Sequence, residues 1–110
     1  MEVNRLIDTD GLQRAIEEFA RSRGWVQFHS PKNLAMALTG EVGELVEIFQ
    51  WLTEAQSTEA MKDPGQAMRI QEELADVTIY LTRLAAVLGV DLDEAVKDKL
   101  AKNARKYPAP

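Results

Sequence analysis

Apolar residues recur along this chain at helical spacing, and no run alternates with the period of two that a half-buried strand requires. Val77 to Leu81 is rich in β-formers, but it sits inside an uninterrupted helical pattern. Leu12, Ile16 and Phe19 mark a first amphipathic helix with Glu17, Glu18, Arg21 and Arg23 outside; Thr9 or Asp10 caps it and Gly24 ends it. Ser30 followed by Pro31 starts a second helix that runs through Leu34, Leu38, Leu45 and Phe49 to about Leu52. Asp63 and Pro64 repeat that signal for a third helix, from about Gln66 to Leu88, stopped by Gly89. Asp91, with Glu94 three positions on, is a capping box for a fourth helix from Leu92 to about Arg105, and Pro108 keeps Tyr107 out of it. The stretch from Thr53 to Gly65 is a polar connection with a helical turn around Glu59 to Met61. The pattern predicts an all-α, four-helix, bundle-like protomer. Its two long helices carry more apolar stripe than two short ones can cover, so a second copy is expected to finish the core, as a homo-oligomeric dimer or dimer of dimers.

The 110 residues suit one domain, 1–110, and 45% apolar with 28% charged residues is an ordinary globular balance. A formal charge of −5 argues against a nucleic-acid partner, since such domains present a basic face. Without cysteine there is neither a disulfide framework nor a thiolate metal site. No segment approaches the ~20 apolar residues of a membrane span, and MEVNRLIDTDG has neither a basic start nor an apolar run. The expectation is a soluble cytoplasmic protein.

Candidate chemistry lies in GEVGELVEIFQW, from Gly40, and EELADVTIYL, from Glu72. Each carries two carboxylates three residues apart, Glu41 with Glu44 and Glu73 with Asp76, so each pair shares a helix face. Leu38, Val42, Leu45, Phe49 and Leu52 form the first apolar arc, with Glu41 at its edge and Glu44 one step outside. Ile70, Leu74, Val77, Tyr80, Leu81, Leu84 and Leu88 form the second, with Glu73 among them and Asp76 at the rim. Carboxylates on a core-facing stripe repel one another and are poorly solvated, unless a cation fills the gap. All-oxygen ligands suit a hard ion, Mg²⁺ or its substitute Mn²⁺. The competing reading is four ordinary solvated acids; Glu73, inside its apolar stripe, favours the metal. Gly40 and Gly43 flank Glu41 and mark either a close neighbour or tolerated glycines.

Positive charge gathers late, at Lys97, Lys99, Lys102, Arg105 and Lys106, and the helix macrodipole accounts for most of it. Lys99, Asn103 and Lys106 share a face and are the candidate phosphate clamp. Trp25, Phe28, Trp51 and Tyr80 are either core or a stacking surface for a nucleobase. His29, the single histidine, is either a hydrogen-bonded loop residue or a ligand contact. It has no Glu-x-x-His partner on a helix, which excludes a di-iron carboxylate bundle.

Glu41-Val-Gly-Glu44, followed after 28 residues (45 to 72) by Glu73-Leu-Ala-Asp76, resembles the ExxE…ExxD signature of the all-α nucleoside triphosphate pyrophosphohydrolases, the MazG-like superfamily. GWVQFHSPKNLAMALTGEVGELVEIFQW, QEELADVTIYL and KLAKNARKYP look like its dCTP pyrophosphatase branch, over roughly residues 12 to 108. The resemblance implies Mg²⁺-dependent cleavage between the α and β phosphates of a nucleoside triphosphate. By matching positions, Glu41, Glu44, Glu73 and Asp76 would be the metal-holding, catalytic set. Lys99, Asn103, Lys106 and Tyr107 would contact phosphates or complete the pocket, and Trp25, His29, Asn33, Trp51 and Tyr80 would shape the base and sugar site. Glu44 or Glu47 would orient the attacking water. Enzymes of this kind are tetramers with sites between subunits. Two departures stand out: vertebrate members have a histidine near Ile16, and arginine where this chain has Lys106. Three alternatives remain at this point: dUTP hydrolysis, phosphoribosyl-ATP hydrolysis, or a non-catalytic helical interaction module.

Overall fold

The computed structural model describes residues 4–110, and among them every regular element is helical. The order is α1 (Asp10–Ser22), a 3-10 turn at Val26–Phe28, α2 (Pro31–Phe49), α3 (Glu54–Thr58), a 3-10 turn at Ala60–Lys62, α4 (Pro64–Leu88) and α5 (Leu92–Lys106). Local chemistry sets the boundaries. Ser30 Oγ accepts from the amide of Asn33, and Asp63 Oδ1 from that of Gly65, each just before an N-terminal proline. Gly24 and Gly89 take the left-handed conformation at φ 71° and 72°; the amides of Trp25 and Val90 then close back onto Ala20 and Ala85.

Four boundaries differ from expectation. The Thr9 side chain caps no backbone amide; Asp8 Oδ1 accepts from the amide of Asp10 instead. The second helix stops at Phe49 rather than near Leu52, so Trp51 lies in the turn after it. The polar connection holds a true helix, α3, with a reciprocal capping box between Thr53 and Gln56. The expected box at Asp91 is one-sided: its carboxylate accepts from the amides of Asp93 and Glu94.

Helix α4 packs mainly on α2, and also touches α1 and the second 3-10 turn. Ile48, Ala60 and Ile70 form the buried core there, with Phe49 packed on it. The apolar arcs divide. Ile70, Val77, Tyr80 and Leu84 turn inward with Glu73, whereas Leu74, Leu81 and Leu88 are exposed, as is Val42 on α2. A Cβ at Gly40 or Gly43 would meet nothing within 4 Å, so none of the described residues is a close neighbour there.

Helix α5 stands away from the α1/α2/α4 layer. The radius of gyration is accordingly 16.9 Å, against about 13 Å for a compact chain near this size. Its start is pinned by Asp93, whose carboxylate accepts from the amides of Leu6 and Ile7 and pairs with Lys97 at 3.1 Å. Among the described residues no helix is long and apolar enough to cross a membrane.

Candidate metal centre

The pairing of α2 with α4 turns two sequence-distant acidic pairs toward one place. Glu41, Glu73 and Asp76 each bring a carboxylate oxygen within 4.8 Å of the other two, and all three are half-buried. Glu44 is exposed, yet its carboxylate acts on both Glu41 and Glu73. Of the four predicted ligands, three therefore converge directly and the fourth adjoins them.

The carboxylates of this cluster are poorly satisfied by the protein itself. Glu41 Oε1 and Glu73 Oε2 are buried without a hydrogen-bond partner. The buried Oδ2 of Asp93 has Lys97 at 3.1 Å and Arg5 at 3.9 Å; no ion pair among the described residues reaches Glu41, Glu44, Glu73 or Asp76. Loss of solvation, then hydrogen bonding with Glu73 and the nearby charges of Glu44 and Asp76, push the Glu41 carboxyl up to about 7. Loss of solvation and its contact with Glu44 raise Glu73 as well. A cluster of hard oxygen donors with unsatisfied buried lone pairs fits a hard divalent ion such as Mg²⁺ or Mn²⁺.

A cavity of about 300 Å³ opens beside the carboxylates, with Asp76 in its wall. Ile16, Phe19, Trp25, Leu34 and Ile79 supply its apolar lining; His29, Tyr80 and Arg83 supply the polar groups. Three residues assigned to the base and sugar site, Trp25, His29 and Tyr80, thus meet in one chamber. Trp25 is held edge-on to Phe19 with ring centres 5.7 Å apart, and Arg23 stacks on the other ring of that pair, 3.5 Å from its centre. Asn33 is otherwise engaged: its side chain donates to the Phe28 carbonyl at 2.9 Å. Trp51, 83% exposed, is not in the cavity wall.

The α5 residues do not join this cavity. Lys99, Asn103, Lys106 and Tyr107 are outside its lining, and α5 touches α2 and α4 little. Lys106 sits 5.3 Å from the ring centre of the exposed Tyr107. Lys97 and Lys102 are ion-paired within the helix, to Asp93 and Asp98, each at 3.1 Å. Arg83 is the polar wall residue that pattern reading missed. Its signal was available, because Asp76, Tyr80 and Arg83 follow at spacings of four and three and share a helix face.

Residues 37–110 match the model of the MazG-like family. Human dCTP pyrophosphatase 1 is 49% identical over 100 residues, which cover 91% of this chain and 59% of that protein. Rat dCTP pyrophosphatase 1 is 48% identical over 99 residues, 90% of this chain and 58% of the relative. The chain thus spans somewhat under two thirds of the curated relatives it matches. The crystal structure of a pyrophosphatase from Archaeoglobus fulgidus superposes with a TM-score of 0.85 at 40% identity, covering 98% of this chain and 100% of the other. With its carboxylate signature within the matched span, the chain belongs to the MazG-like family.

Proposed function

We propose that this protein is a Mg²⁺-dependent nucleoside triphosphate pyrophosphohydrolase. It cleaves the α–β phosphate bond of dCTP or a modified pyrimidine deoxynucleotide, giving the monophosphate and pyrophosphate, and so clears the cytoplasmic nucleotide pool. The observation that carries this reading is the pair of orphaned buried oxygens on Glu41 and Glu73, converging with Asp76, which lines an aromatic cavity. The relatives, named dCTP pyrophosphatase 1, support this substrate class.

In this reading Glu41, Glu44, Glu73 and Asp76 hold the ion. When bound, Mg²⁺ supplies charge neutralisation for the triphosphate and for the oxygens on which charge grows in phosphoryl transfer. Without that neutralisation the four carboxylates and the chain's net charge of −5 would repel the substrate. Glu44 is the exposed member of the set and therefore the best placed to accept a proton from the attacking water, ahead of Glu47 three residues further along α2. Trp25 and Tyr80 sandwich or edge the base, with His29 as its polar contact. Lys99, Asn103, Lys106 and Tyr107 reach phosphates only if α5 lies over the site of a neighbouring copy, so the active form is a homo-oligomer. Exposed Leu74, Leu81 and Leu88 give such a copy an apolar face to cover.

The experiment is a substrate panel of dCTP, 5-substituted dCTP, dUTP and phosphoribosyl-ATP with Mg²⁺, scored for pyrophosphate release. Turnover of dCTP that Glu73→Gln abolishes supports the proposal. Turnover that survives both Glu41→Gln and Glu73→Gln removes the site assignment, and no turnover of any member returns the chain to a non-catalytic module.

A further inference from the structure

The cavity beside the carboxylates has a buried guanidinium in its wall. Arg83 is 6% exposed, inside α4. A charge so placed is tolerated only with partners, and Arg83 has two. Glu17 Oε1 of α1 lies at 3.6 Å from Nη1, and Nδ1 of His29 accepts from Nε at 3.0 Å.

The second contact is chemically selective. A guanidinium only donates, so the nitrogen facing it must offer a lone pair. With Nδ1 committed as acceptor, the ring proton resides on Nε2 and the imidazole is uncharged. Loss of solvation and the Arg83 charge both hold His29 below the ordinary histidine range, in keeping with that form. His29 and Arg83 line the same cavity, among Ile16, Phe19, Leu34 and Ile79, and the ring nitrogen left for a ligand is Nε2.

We propose that Arg83, anchored by Glu17, is a positioning residue that fixes His29 as a neutral Nε2–H donor. The cavity then offers one uncharged donor to an acceptor on a flat heterocycle, a carbonyl oxygen or a ring-nitrogen lone pair. An exocyclic amine, itself a donor, is not accommodated at that point, and a phosphate gains no charge there. The assignment of the heterocycle rests on the proposed nucleotide substrate; the tautomer does not.

His29 is the only histidine in the chain, so its ring nitrogens can be observed in ¹⁵N-labelled protein without ambiguity. At pH 7 the free wild-type protein should show a protonated Nε2 and an unprotonated Nδ1. Arg83→Met, which removes the donor at similar length, should give a mixture of tautomers. It should also raise KM for dCTP about tenfold, the scale of one lost hydrogen bond, with kcat changed less than about twofold. Arg83→Lys, which keeps a donor, should recover the wild-type tautomer. An Nδ1–H or doubly protonated ring in the wild type overturns the proposal, as does a Met variant that folds and gives the wild-type spectrum. So does a pair in which Met and Lys behave alike. The wild-type spectrum decides alone if the Met variant does not fold, and it is readable whether or not the chain hydrolyses any triphosphate.

Discussion

Glu41 on α2 and Glu73 on α4 bring carboxylate oxygens within 4.8 Å of each other across the helix interface, and each keeps one buried oxygen without a partner. Two carboxylates held this close in poor solvent cannot both ionise cheaply. That one relationship is expected to make the fold lose stability as pH rises and gain it when a divalent ion binds there.

Without metal, the Glu41 carboxyl has an ordinary value of 4.5 in the unfolded chain and about 7 in the fold. A raised carboxyl pKa means that the stability its proton contributes is complete below 4.5 and is lost as pH climbs through about 7. The melting temperature of the metal-free protein should therefore fall across that window. Glu41→Gln should flatten most of the slope and melt higher than the metal-free wild type at pH 7.5, by about 4–8 °C for each kcal/mol relieved. Thermal melts in chelator at several pH values check this; an unchanged slope in the variant would show that Glu41 is not the titrating group.

Mg²⁺ should act the other way. Binding to the folded state alone stabilises by mass action, about 2.7 kcal/mol at one hundred times the dissociation constant. The ligands must be deprotonated, so the gain should shrink as pH drops below about 7, where Glu41 retains its proton. Calorimetric melts with and without Mg²⁺ measure it. Glu73→Gln should lose most of the gain while folding normally. A full shift in that variant would place the ion elsewhere.

What could be read from the sequence was local. Ser30-Pro31, Asp63-Pro64, Gly24 and Gly89 mark helix ends by chemistry confined to a few neighbouring residues, and each does so in the fold. The Thr53–Gln56 box was equally local, but the polar stretch around it has no apolar periodicity to suggest a helix. Periodicity also gives direction without naming a neighbour. One wide arc on α4 became two faces, Ile70, Val77 and Leu84 inward and Leu74, Leu81 and Leu88 outward, and only three-dimensional packing decides the split. Spacing sufficed for the carboxylates because Glu73 lies on the inward side. His29 and Arg83 are 54 residues apart, and nothing local ties them.

Asp93 is a second buried carboxylate with the opposite shift. Burial by itself would raise it, but hydrogen bonds from Ile7, Lys97 and Leu6 hold it below the ordinary 3.8. For a lowered carboxyl pKa, the stabilisation is present above the unfolded value and is lost as pH falls through the folded one. The attachment of the 4–7 segment to α5 should thus persist at neutral pH and loosen only in strong acid. Asp93→Ala should release it at pH 7, seen as faster hydrogen exchange at the amides of Leu6 and Ile7. Unchanged exchange there would mean that other contacts hold the segment.

Trp51 separates a role in binding from a role in packing. At 83% exposure in the turn after α2 it buries little of its ring in this chain, so Trp51→Ala should leave the monomer's own stability within about 0.5 kcal/mol. If it reaches the base across the subunit boundary of an oligomer, the same substitution removes a stacking surface of about 1–3 kcal/mol. The expected result is a KM for dCTP raised about tenfold at nearly constant melting temperature and unchanged oligomeric state by light scattering. A fall in melting temperature together with dissociation would assign Trp51 to the contact between copies instead, and unchanged KM would take it out of the substrate site.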